Sequence, residues 1–221
     1  MKRILFLFLL LLFPVLTVCA QFSSDKAATI EQYLSEPVKK PKTAKKAEHL
    51  RFMNISMNYS LPTFSRKLQE KGLTLVRQSD EVVAFKGRFA GSSGCHIGVV
   101  FVPQNQKVRR VGVLFPGHDD WDSLYRHYQQ VQESLVQKYG QPAICTESFE
   151  TIFEPSNDQE RYRCVVEDEC CFITSFEVAG GSISICLLAD ESAPDPRPCV
   201  FLVYIDRLND NLASKQVIDD L

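Results

Sequence analysis

Four apolar runs, at residues 73–78, 81–89, 95–102 and 108–115, are rich in Val, Leu, Phe and Ile, and only Ser79-Asp80, residues 90–94 and residues 103–107 separate them. These short connections constrain the fold more than any other feature. A parallel crossover needs a dozen or more residues, so successive runs must pair as antiparallel hairpins. A second series of strands is predicted at 147–153, 162–166, 171–178, 182–188 and 199–205. Its sharpest turn is Ala179-Gly180-Gly181. Alternation about that turn places Phe172, Phe176, Val178, Ile183, Ile185 and Leu187 on one face and Ser175, Glu177, Ser182 and Ser184 on the other. Residues 200–205 are apolar at every position, as expected of a central strand.

Each series follows an amphipathic helix. The stronger runs over 121–139, with Trp121, Leu124, Tyr125, Tyr128, Val131, Leu135, Val136 and Tyr139 at the i, i+3, i+4, i+7 spacing of one face. Asp119 and Asp120 are its N-cap candidates; with Asp122 they place negative charge at the positive end of the helix dipole, and Gly140 and Pro142 close it. This spacing turns Trp121, Tyr125 and Tyr128 toward the sheet and Arg126, Gln129, Gln130 and Glu133 toward water. The other helix is predicted over 61–71, capped by Ser60, with Pro62 in its first turn, Gly72 at its end and Leu61, Phe64 and Leu68 on its apolar side. A short edge strand at 51–57 precedes it, and a last helix over 211–221 carries Leu212, Val217 and Ile218. The fold class is therefore α+β: an antiparallel sheet built from two helix-plus-meander units, with helices packed on one face. Residues 50–221 form one domain of two related halves, 50–116 and 117–221.

The first residues point to export. Lys2 and Arg3 precede the apolar run from Ile4 to Phe13, Pro14 breaks it, and small residues lead to Gln21, the pattern of a signal peptide over 1–20 cleaved between Ala20 and Gln21. The apolar core is shorter than the ~20 residues that a spanning helix needs. Leu16-Thr17-Val18-Cys19 also resembles a lipobox, in which Cys19 would be lipidated, although Val18 stands where Gly, Ala or Ser is usual. Residues 21–49 read as a polar, lysine-rich tether. The destination is the periplasm or the outer surface. With 27 acidic against 25 basic residues, two of them in the signal, the chain lacks the basic balance of a nucleic-acid binder. No apolar run of spanning length recurs after the signal.

Beyond Cys19 the cysteines are Cys95, Cys145, Cys164, Cys170, Cys171, Cys186 and Cys199, an odd set that cannot all pair and that contains no C-x-x-C. Most lie in apolar strand-like runs, which suits buried thiols with one or two bridges at most. For chemistry, Cys95-His96 and His118 are the best candidates. Adjacent strand residues point to opposite faces, so Cys95 and His96 cannot address one another. His118 stands beside Asp119 and Asp120, which already serve the helix cap, and His49 and His127 stand alone. Glu167-Asp168-Glu169 reads as a solvated turn between two strands, without the spaced oxygen ligands of a calcium loop. No catalytic, cofactor-binding or metal-ligating residue is assigned, and no cofactor is implied.

Several phrases carry a family resemblance: Phe52-x-x-Ile55, Phe64-x3-Leu68-x2-Lys71-Gly72, Phe85-x-Gly87-x-Phe89-Ala90-Gly91-x3-Cys95, Trp121-x2-Leu124 with Lys138-Tyr139-Gly140-x-Pro142, and Val203-Tyr204-x-Asp206. Together they resemble a family of small exported proteins of unknown function from gut bacteria of the Bacteroides type. The matched residues are turn glycines and core aromatics, so no catalytic residue is carried over. The doubled helix-and-meander pattern is similar to the β-lactamase-inhibitor-protein-like fold, whose members mostly bind other proteins. The expected function is an exported, non-enzymatic binding or interaction module for a protein or small-molecule ligand; the alternative is a hydrolase or thiol enzyme using Cys95 or His118.

Overall fold

A computed structural model of the chain describes residues 48–151, 153–189 and 195–212. The segment expected to be a signal peptide, with Cys19, Ala20 and Gln21, nearly all of the expected tether, and residues 213–221 of the expected last helix lie outside the described residues.

The described fold opens with a short hairpin of two-residue strands, β1 (Arg51–Phe52) and β2 (Ile55–Ser56), where a single edge strand is predicted. Met53 and Asn54 both adopt positive φ, 50° and 65°, which turns the chain back within two residues. Helix α1 (Leu61–Glu70) follows, with Pro62 in its first turn and Leu61, Phe64 and Leu68 buried. Ser60 occupies the N-cap position, but its hydroxyl bonds the Thr63 hydroxyl instead of a helix N–H. Then come β3 (Thr74–Gln78), β4 (Val82–Phe89), β5 (Ser92–Val102) and β6 (Lys107–Leu114). The second half consists of α2 (Trp121–Tyr139), β7 (Ile144–Phe149), α3 (Asp158–Val166), β8 (Cys170–Val178), β9 (Gly181–Leu188) and β10 (Cys199–Asp206). Residues 207–212 are helical.

All eight long strands form one antiparallel sheet in the order β3-β4-β5-β6-β10-β9-β8-β7. Each half contributes a helix and a four-stranded meander. The meanders join last strand to last strand, with Leu202 opposite Val113 and Tyr204 opposite Val111 at the centre. Every pairing is antiparallel, as the short connections require.

Where a strand is predicted at 162–166, the chain forms α3. Its cap explains the difference. Asn157 accepts the Glu160 N–H at 3.0 Å, and the Glu160 carboxylate reaches back to the Ser156 N–H at 2.7 Å. This reciprocal capping outweighs the β preference of Val165 and Val166. The second half therefore has four strands rather than five, and α3 occupies the β7–β8 connection that a short turn fills between β3 and β4.

The main core lies between the helices and one sheet face, here called the front. Trp121, Leu124, Tyr128 and Leu135 of α2 are buried there among Phe172, Phe176, Ile185 and Leu202. Trp121 meets Phe172 edge-on at 5.4 Å between ring centroids and stacks on Tyr125 at 5.1 Å. Each such side chain, fully buried, contributes roughly 1.5–3 kcal/mol before ordering entropy is subtracted. Arg126, Gln129, Gln130 and Glu133 face water. Asp120 caps α2 by accepting the Ser123 N–H at 2.8 Å, and Gly140, at φ 87°, ends it. No helix among the described residues is long and apolar enough to cross a membrane.

Candidate functional site

The residues singled out as chemical candidates are dispersed by the fold. Cys95 is buried on the front face of β5, where its thiol faces the carbonyls of Ser92 and Phe89, at 3.5 and 4.0 Å. Burial pushes its pKa up, away from the nucleophilic thiolate. His96 projects from the other face of β5, between Lys86 of β4 and Leu114 of β6. Burial, then the Lys86 charge, lowers its pKa.

His118 lies in the loop before α2 and meets His127 of that helix, Nε2 to Nδ1, at 2.9 Å. Its backbone joins two further segments: its N–H bonds the Pro198 carbonyl at 2.9 Å, and its carbonyl accepts the Tyr162 hydroxyl at 2.9 Å. Burial lowers the pKa of both imidazoles, and for His127 the neighbouring His118 charge adds to the effect. Beside them Arg197 binds Asp195 and Asp119. Hydrogen bonds from Arg197 and then from the Gly117 N–H hold the Asp195 carboxyl at about 2. The arrangement ties the 115–120 loop, α3 and the 195–198 segment together. Among the described residues no serine or cysteine bonds either imidazole.

Glu167, Asp168 and Glu169 form the turn between α3 and β8 rather than a turn between two strands, with Asp168 at φ 57°. Among the described residues no group of three or more His, Cys, Asp and Glu side chains converges as metal ligands. The cysteines divide by environment. Cys95, Cys164, Cys186 and Cys199 are buried, whereas Cys145 of the edge strand β7 is exposed, unlike the buried thiol expected there.

The most unusual surface is the back face of the sheet. Helices α1, α2 and α3 all contribute buried residues to the front-face core, α3 through Val165. The free face of an antiparallel sheet is normally polar. The back face carries two further apolar clusters, Val82, Ala84, Val100 and Val203 with Phe201 and Ile205, and Leu114 and Cys199 with Leu188 and Phe201; the first four and Leu114 and Cys199 are buried, and Phe201, Ile205 and Leu188 are partly exposed. The strand register lines up a row of small residues through them: Ala84 pairs with Gly98, Gly98 with Gly112, Gly112 with Val203, Val203 with Ser184 and Ser184 with Ser175. Leu114, Phe201, Cys186 and Ile173 stand along one side of this row, and Val82, Val100, Arg110 and Ile205 along the other. The result is a band of mostly small residues running across six strands, flanked by half-buried Phe201, Ile205 and Ile173. The alternation of the last hairpin hints at it through Ser175, Ser182 and Ser184. The glycines come into line only through the register.

No protein-family model, no curated protein and no solved structure matches this chain.

Proposed function

We propose that the protein is an exported, non-enzymatic binding module whose docking surface is the back face of its sheet. One observation carries the reading: the face opposite the helices is apolar, and Ile173, Phe201, Ile205 and Leu188 remain partly exposed around its buried clusters, where a sheet face is more often polar. The dispersal of Cys95, His96 and His118 favours binding over nucleophilic chemistry, which needs a nucleophile and a base within hydrogen-bond reach. The doubled meander is compatible with the resemblance to the β-lactamase-inhibitor-protein-like fold, whose members mostly bind other proteins. That resemblance is one of architecture, and fold alone assigns no partner.

The ligand is a protein or small molecule met in the periplasm or at the outer surface, reached after cleavage at Ala20-Gln21 or after lipidation of Cys19. Mass spectrometry of the mature N-terminus separates the two routes: a chain starting at unmodified Gln21 supports cleavage, and one starting at acylated Cys19 supports anchoring. The docking surface is tested by cross-linking and co-purification from the cell envelope. Ile173→Lys should abolish partner recovery with unchanged circular dichroism. Recovery equal to that of the parent protein would overturn the assignment to this face.

A further inference from the structure

At the foot of the back face the sheet contains a β-bulge. Val100 pairs with Arg110 and Phe101 with Val108, which leaves Arg109 as an extra residue on β6. Val108 and Val111 on either side both belong to the front-face core, so the bulge places two consecutive arginines between them without breaking the apolar phase. Both guanidiniums turn to one carboxylate, Asp210. Arg110 takes it with two bonds, Nε to Oδ1 at 2.8 Å and Nη2 to Oδ2 at 3.0 Å. Arg109 comes no closer than 3.7 Å through Nη1, beyond hydrogen-bond range.

Arg109 is thus the anomaly. Its side chain is only 15 % exposed, its Nε is buried with no partner, and it donates no hydrogen bond among the described residues. A guanidinium carries five N–H donors and stays charged, so leaving it buried and unbonded costs free energy that the fold does not need to spend. Burial, and then the adjacent Arg110 charge, push its pKa down; Asp210 and Glu81 act in the opposite direction. Glu81 is exposed and forms no ion pair with it among the described residues.

We propose that the bulged pair Arg109–Arg110 is a binding site for a small oxyanion of the carboxylate or phosphate type, with Arg109 as the ligand-binding fork and Arg110–Asp210 as the fixed wall. The planar guanidinium matches two oxygens of such an anion, and the bulge aims it beside a wall already held by two hydrogen bonds. Asp210 is hydrogen-bonded to Arg110 and only approaches Arg109, so the Arg109 N–H donors are left for the ligand. Arg110 borders the apolar band of the back face, but the proposal does not rest on docking there, because the oxyanion is bound by the isolated chain.

The test is thermal unfolding of the isolated protein in chloride buffer of constant ionic strength, titrated with inorganic phosphate in one arm and succinate in the other. The midpoint should rise and saturate in at least one arm, which also identifies the preferred oxyanion. Arg109→Met should weaken the response at least about tenfold while leaving the midpoint in chloride alone equal to or above that of the parent, since it removes an unbonded buried charge. Arg110→Met should lower that midpoint, because it removes the two hydrogen bonds that Arg110 gives to Asp210. The absence of a saturable rise in both arms would overturn the proposal. So would an equal response in Arg109→Met, or a loss of stability in that variant as large as in Arg110→Met.

Discussion

Leu50 donates its backbone N–H to the Asp206 carboxylate at 2.8 Å across 156 residues of sequence, closing the start of the described fold onto the end of its last strand. Asp206 is fully buried. Its other oxygen accepts the Asn209 N–H at 3.0 Å, and the Asn209 side chain in turn bonds the Met57 and Val108 carbonyls. His49 approaches the same carboxylate at 3.1 Å from a more exposed position, its side chain 23 % accessible.

Asp206→Ala should therefore destabilise the protein by about 3 kcal/mol or more, because it leaves two buried backbone donors unsatisfied. His49→Ala should cost under about 1 kcal/mol, the usual worth of a partly solvated ion pair. Urea unfolding measures both, and equal losses would refute this division of labour.

Gly181→Ala should be among the most damaging single-methyl changes in the chain. A Cβ at that position would lie 1.9 Å from the Ile205 carbonyl oxygen, where β9 passes β10 at the Gly181–Asp206 pair. Backbone cannot yield as a flexible side chain does, so a loss of about 3 kcal/mol or more is expected. A shift in the urea midpoint worth less than about 1 kcal/mol would show that the strands separate easily.

The His118–His127 pair, together with His96, should make stability depend on pH in the mildly acidic range. All three have folded-state values lowered from 6.5, for which burial is the leading cause, so the unfolded chain binds more protons than the folded one. Their contribution is complete above the unfolded value and is lost as pH falls below about 6.5 toward the lowered folded values. Asp119, Asp120 and Asp195 oppose the shift of His118, and Arg197 adds to it. Unfolding midpoints at pH 7.5 and 5.5 should differ less in His127→Gln than in the parent. An unchanged difference would place the titration elsewhere.

The edge strand β3 exposes Val76, 58 % accessible, next to Leu75, and a bulge between Leu75 and Arg77 is the only irregularity in its pairing to β4. Unpaired edges of this kind recruit other strands. Val76→Lys should leave stability within about 0.5 kcal/mol and reduce self-association at high concentration, measured by light scattering. Unaltered scattering would show that this edge does not mediate association.

Hairpin lengths and helical periodicity made most of the fold legible. The two-to-five-residue connections dictated antiparallel neighbours, and Trp121, Leu124 and Tyr128 marked the buried side of α2. Helix α3 stands where Val165 and Val166 favour a strand. Yet the capping signal Asn157-x-x-Glu160 stands in the sequence and outweighs them. The β1–β2 hairpin was less accessible, since Met53 at positive φ breaks the usual residue preference.

Local pattern by itself determined most of the strands, the two main helices and the faces of the last hairpin, because each depends on residues within a few positions of one another. It could not determine which strand of one meander meets which strand of the other. Pairing β6 with β10 is a contact between distant segments, and that register alone brings Gly98, Gly112 and Val203 into one row. The same holds at the bulge. Arg109 and Arg110 are two unremarkable surface arginines in the sequence, and only the shift from Val100 to Phe101 turns both onto Asp210 and leaves one of them buried without a hydrogen bond.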